Sequence, residues 1–293
     1  MTTREMDPAP RLRRLLPVRL LAAFGLLGSL ASCSVMVDAN RPQCSQDSDC
    51  TNRGPEFAGS VCSAAGLCGE DPKWSCDAAP TSTGYTLTMH LQDAVDSKKV
   101  LPGVVAQLCR QLDVACETPV GATVVSDAGG GITMQIEPGF DGYVQLTDSK
   151  IAPSLYFLTP PKSGDLDLPM VPLASPLAAR GIVVTAGAKS WLPDRGIVLL
   201  NAFDCLGQTA GGITFSLGGA PDPSTVIFYL VDNFPTTTGT ATDATGYGGL
   251  VNVPVGVATI AGTLGPGGRK VSNTSLLIRA GYVSYSSVTP NSQ

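Results

Sequence analysis

Twice the chain runs through the same order of patterns, and this repeat restricts the fold more than any other feature. TLTMHLQDAV places apolar side chains at Leu87, Met89 and Leu91 and leads through a polar loop to PGVVAQL, with Gly103, Val104, Ala106 and Leu108. In the second half GIVLLNAF leads through DCLGQTA to GGITFSL, with Gly212, Ile213, Phe215 and Leu217. Period-two alternation broken by turn residues reads as strand, loop, glycine-led strand. Further on, SDAGGGITMQIEPG aligns with TDATGYGGLVNVPVG, matching Asp127 with Asp243, Gly130 with Gly246, Met134 with Leu250 and Pro138 with Pro254. Asp three residues before Gly suits a turn, because Asp bonds its own local backbone and Gly adopts positive φ. The glycine-led strand precedes this turn by 24 residues in one copy and 31 in the other, which predicts an added segment around STVIFYLVDNFPTTTG.

Only 15% of the residues are charged, against 43% hydrophobic, with 33 glycines and 23 prolines. That balance excludes a disordered chain and favours β-rich modules over helical bundles. The repeat resembles the carboxypeptidase regulatory-like and transthyretin-like domains, whose signature is a glycine-led strand, a later Asp-x-x-Gly turn and a strand ending in Gly-x-Tyr. Asp127, Gly130, Gly142 and Tyr143 carry it in the first copy, while the second keeps TDATG and lacks Gly-x-Tyr at the matching place. The resemblance implies two prealbumin-like antiparallel β-sandwiches, an all-β protein. The catalytic domain of the metallocarboxypeptidases, with its zinc ligands, has no counterpart here.

At the start, Arg4, Arg11, Arg13, Arg14 and Arg19 precede the apolar run Leu20–Leu30, which is too short to span a bilayer and reads as a secretory signal. Leu30-Ala31-Ser32-Cys33 resembles the lipobox of bacterial lipoproteins. The resemblance implies cleavage before Cys33, diacylation of its thiol and acylation of its new amine. Ser34, in place of Asp, implies export onward to the outer membrane, with the protein held on a periplasmic or surface-exposed face. Two or three acyl chains anchor stably where one is marginal. Loss of residues 1–32 leaves 14 Lys and Arg against 22 Asp and Glu, a net charge of −8 that argues against nucleic acid as a partner.

With Cys33 assigned to lipid, eight cysteines remain: Cys44, Cys50, Cys62, Cys68, Cys76, Cys109, Cys116 and Cys205. An even count in an exported chain reads as disulfides. Four lie in two C-x5-C units, a loop-rich head that needs cross-links, with crossed pairing expected. Zinc is the rival reading, but C-x2-C spacing is missing and the single histidine, His90, lies elsewhere. Cys109 and Cys116 close a small local ring, which leaves Cys76 and Cys205 either joined to each other or free.

Catalytic motifs are scarce. His90 falls on the outward face of an alternating strand, and neither G-x-S-x-G nor H-E-x-x-H occurs. GTLGPGGRK lacks the lysine of a phosphate-binding loop at the required place. Asp47 with Asp49, and Asp165 with Asp167, read as solvated loop charges rather than a calcium site or an acid–base pair. Tyr282, Tyr285, Tyr229 and Phe228 read as core rather than as a sugar-binding platform.

The expected organisation is a signal peptide (1–32), a lipidated N-terminus with a cysteine-rich head (33–76), a first sandwich (77–172), a connector with a short helix begun by Ser175 and Pro176 (173–194), and a second sandwich (195–293). This order of modules resembles surface lipoproteins of soil-dwelling and predatory proteobacteria. The expected role is a non-enzymatic binding, adhesion or scaffold module without a cofactor or metal, held to a membrane by lipid and taking a protein or glycan as its partner. The rivals are a carbohydrate-binding module, which needs exposed aromatic rings, and an accessory envelope enzyme limited to carboxylates for proton transfer.

Overall fold

The computed structural model describes residues 42–76, 83–158, 164–220, 222–231, 234–265 and 268–290. The expected signal segment and Cys33 lie outside the described residues. The head consists of a one-turn helix α1 (Asp47–Thr51) and a hairpin of β1 (Ser60–Cys62) and β2 (Cys68–Glu70). Too small to bury much apolar surface, it is tied by two interleaved disulfides, Cys44–Cys62 and Cys50–Cys68.

The described residues of the first repeat form seven strands: β3 (Tyr85–Asp93), β4 (Val105–Arg110), β5 (Val120–Val125), β6 (Gly131–Ile136), β7 (Gly142–Thr147), β8 (Ser154–Phe157) and β9 (Leu166–Leu173). Helix α2 (Pro176–Thr185) follows, with Ser175 Oγ accepting the N–H of Ala178 at 3.2 Å. The second repeat forms eight: β10 (Arg195–Ala202), β11 (Ile213–Leu217), β12 (Val226–Val231), β13 (Phe234–Thr236), β14 (Tyr247–Pro254), β15 (Gly256–Leu264), β16 (Lys270–Ile278) and β17 (Val283–Val288).

Each repeat is a sandwich. The first sets β6-β3-β9 against β8-β7-β4-β5, and the second sets β13-β12-β14-β10-β17 against β11-β15-β16. The fold is mostly β, as the alternating patterns predict, but three parallel pairs break the purely antiparallel pairing expected. The last strand of each repeat runs parallel to its first, β9 beside β3 and β17 beside β10. β17 then also pairs in parallel with β8, matching Val283 with Ser154 and Tyr285 with Tyr156. One sheet of each repeat is thereby fused into a nine-stranded sheet that serves both.

That shared sheet is covered on opposite faces by the two repeats. Val144 and Leu146 of β7 join the first core with Leu87, Met89 and Ile132, whereas Tyr143, Leu155 and Phe157 join the second with Ile260 and Leu277. Ala179 and Val183 of α2 fall in the first cluster beside Ile197, Val251 and Val283, so residues 173–194 contribute to the core as well as joining the repeats. Each fully buried aliphatic or aromatic side chain contributes roughly 1.5–3 kcal/mol. Strands buried on both faces lose strict alternation, and this is why GIVLLNAF and GGLVNV read as nearly continuous apolar runs.

Candidate binding groove

Gly142 and Tyr143, expected as the Gly-x-Tyr end of a strand, are adjacent and begin β7, where they lead onto a distinctive side-chain cluster. Gly142 is held so close to β4 that a Cβ there would lie 2.2 Å from the carbonyl of Cys109. Its neighbour Tyr143 is buried on the face that meets the second repeat. The Tyr143 hydroxyl donates to the carbonyl of Asp113 at 2.5 Å, in a β4–β5 loop closed by the Cys109–Cys116 disulfide. The Asp113 carboxylate is taken up within that loop, accepting the N–H groups of Glu117 at 2.9 Å and Thr118 at 2.8 Å and the Thr118 hydroxyl at 3.0 Å. The N–H bonds from Thr118 and Glu117 hold its pKa below the usual carboxylate range, while burial raises that of Tyr143.

Arg279, just past β16, reaches across from the second repeat. Its guanidinium lies between the rings of Tyr143 and Tyr282, 5.3 Å from each centroid. It donates to the Tyr143 hydroxyl, to Gln145 Oε1 and, at 3.5 Å, to the carbonyl of Asp113. Nε is buried without an acceptor. Two other arginines are partly buried among the described residues, and each faces a carboxylate, Arg195 with Asp222 at 3.1 Å and Arg269 with Glu70. No ion pair joins Arg279 among the described residues. Beside it runs a groove of about 560 Å³ lined by Val114, Ala115, Val255, Ile278 and Tyr282. Val114 and Val255 are exposed.

Of the residues singled out in the sequence, Gly142, Tyr143, Cys109, Cys116 and Tyr282 meet here, whereas the histidine, the paired carboxylates and the other aromatic residues do not. His90 is exposed on β3, 3.9 Å from the more exposed Asp167. Asp165 accepts the N–H of Thr86, Asp47 that of Cys62, and Asp49 those of Ser45 and Gln46. These carboxylates order loops. Tyr285, Tyr229 and Phe228 are buried and Tyr282 is covered by Arg279, so the proposed aromatic platform for sugars is lost. The sulfurs of Cys44, Cys50 and Cys68 lie within 4.8 Å of one another, but each is bonded in a disulfide and offers no thiolate to a metal. Cys76 is joined to Cys205 across 129 residues. Arg279 escaped the sequence reading, although a lone arginine directly after Leu276-Leu277-Ile278 is a signal for a cation carried into a core margin.

No protein-family model matches the chain, and no curated protein matches it. Among solved structures, the Bacillus anthracis TIE protein aligns over 71% of this chain and 34% of its own length, at 12% identity and a TM-score of 0.23. The chain thus spans about a third of that protein. The shaft pilin SpaA of Lactobacillus rhamnosus GG aligns over 73% of this chain and 99% of its own, at 12% identity and a TM-score of 0.22. A streptococcal ancillary pilin aligns over 72% and 63%, at 15% identity and a TM-score of 0.23.

Proposed function

We propose that the protein is tethered by lipid at Cys33 to the outer membrane and acts there as a non-enzymatic binding or scaffold module, its two sandwiches being divergent carboxypeptidase regulatory-like domains. One observation supports this above the rest: four disulfides use all eight of the other cysteines, so the odd ninth is the one inside the lipobox. Four disulfides belong to an oxidising compartment, reached by export. What favours binding over catalysis is the employment of the carboxylates, which accept backbone N–H groups at Asp49, Asp113 and Asp165 instead of facing one another across a cleft.

The test is intact mass of the membrane-extracted protein beside a Cys33→Ser variant, each with and without reduction. A diacyl or triacyl mass increment is expected in the native protein and its loss in the variant, with eight hydrogens gained on reduction. An unacylated native mass overturns the tether.

A further inference from the structure

The geometry points to the groove beside Arg279 as a binding site for the carboxylate of a peptide that carries an aliphatic side chain next to it. This rests on the reading of the protein as a binding module and names the ligand chemistry of one site.

Three features converge. The first is a cation without an ion pair among the described residues: Arg279 is partly buried and bonded only to neutral oxygens, and the Asp113 carboxylate, which feels its charge, is already taken up by the N–H groups of its own loop. A charge removed from water without a counter-charge is costly, and an incoming anion relieves that cost. The chain carries net negative charge, so a cation without an ion pair beside a shallow groove stands out against its own surface.

The second is preorganisation. The guanidinium is clamped between two tyrosine rings, and the facing loop is fixed by the Cys109–Cys116 ring and the Asp113 turn. Little rotamer freedom then remains to be lost on binding. The third is the lining. Val114, Ala115, Val255 and Ile278 surround the cation with aliphatic surface, and Val114 and Val255 stay exposed. Such walls suit a carboxylate flanked by hydrocarbon better than a fully hydrated phosphate or a sugar acid ringed with hydroxyls. The guanidinium fork supplies the charge-assisted hydrogen bonds.

The probe is an N-acetylated valyl-alanyl-leucine tripeptide with a free C-terminal carboxylate, titrated calorimetrically into the full-length protein in detergent. Its carboxamide and D-glucuronate are titrated alongside. The acid should bind, and the carboxamide should bind at least about tenfold more weakly, the effect of one lost charge-assisted hydrogen bond. Arg279→Met should abolish binding. Because that change also removes the bonds to Tyr143 and Gln145, Val114→Glu serves as the second variant: it sets a fixed carboxylate on an exposed rim position, leaves those bonds in place, and should block the acid equally. Equal binding of acid and carboxamide, retention of binding in either variant, glucuronate binding as tightly as the peptide, or no uptake by the native protein would each overturn the assignment. Arg279 would then be a clamp between repeats and nothing more. The mass measurement on Cys33 is unaffected by any of these results, so failure of the tether and failure of the groove are seen separately.

Discussion

Gly130 and Gly246 occupy the same place in the two repeats, and several bonds around them recur. Both take positive φ, +77° and +75°, and a Cβ on either would lie within 2.6 Å of a backbone carbonyl, that of Leu91 or of Ala202. Their own carbonyls accept from those same residues, Leu91 at 2.9 Å and Ala202 at 2.8 Å. The preceding hydroxyls repeat the pattern. Ser126 Oγ accepts from Val104 N–H and donates to Leu101, while Thr242 Oγ1 accepts from Ile213 N–H and donates to Ala210. The repeats part company at one strand. In the first, β5 lies on the edge of β4; in the second, β12 leaves the equivalent edge of β11 and joins β14 in the opposite sheet, with β13 folded back on it. The phenol of Tyr229, on β12, then accepts the N–H of Phe215 at 2.9 Å, standing in for the strand that has moved. A repeat therefore conserves its turn network where backbone geometry demands it and alters the strand at a sheet edge, where one side chain can satisfy what is left open.

The covalent ties of the two repeats differ most in their effect. Cys76–Cys205 closes a 129-residue separation and binds the head to the second repeat, whereas Cys109–Cys116 spans seven residues inside the first. On the chain-entropy account, losing the long bridge by Cys76→Ser with Cys205→Ser should cost about 5 kcal/mol, and losing the short one about 2.5 kcal/mol. Denaturant unfolding of both variants measures the gap, and equal losses would mean that the unfolded chain is already compact between residues 76 and 205.

Gly130→Ala and Gly246→Ala should each destabilise by about 2–4 kcal/mol, from positive φ and the approach of a carbonyl together. If thermal unfolding shows one tolerated and the other not, the two turns are not equivalent. Tyr229→Phe should cost about 1–3 kcal/mol by leaving the buried Phe215 N–H without an acceptor. Amide exchange at Phe215 should quicken in that variant and stay unchanged at Ala106, its first-repeat counterpart on β4. Unchanged exchange at Phe215 would break the proposed substitution of a phenol for a strand.

Much of this repeat was legible because it is written in residues with one physical purpose. Glycine at positive φ, Asp before it and alternating apolar residues fix a turn and a half-buried strand wherever they occur, so Asp127 with Gly130 and Asp243 with Gly246 aligned without a structure. The extra segment before Asp243 was visible as a spacing difference, but nothing in STVIFYLVDNF states which sheet it joins: alternation defines a strand's faces and leaves its partner unspecified. The fusion of β8 to β17 was hidden for the same reason. It left a trace in the apolar runs Gly196–Ala202 and Gly248–Val253, which are too greasy for a sheet with one wet face. The groove was hidden because its lining lies far apart in sequence, at Val114, Val255 and Arg279, and meets only once the two repeats are folded.

The bridge from Cys76 to Cys205 also has a mechanical side. It turns residues 77–204 into a closed covalent loop containing the whole first repeat. Tension applied between the head and the C-terminal strands would pass covalently from Cys76 to Cys205, three residues past β10, without running along the backbone of the first repeat. The backbone of the first repeat thus lies off the covalent path from the head to the C-terminal strands, and load reaches that repeat only through the hydrogen bonds of the shared sheet, β8 to β17.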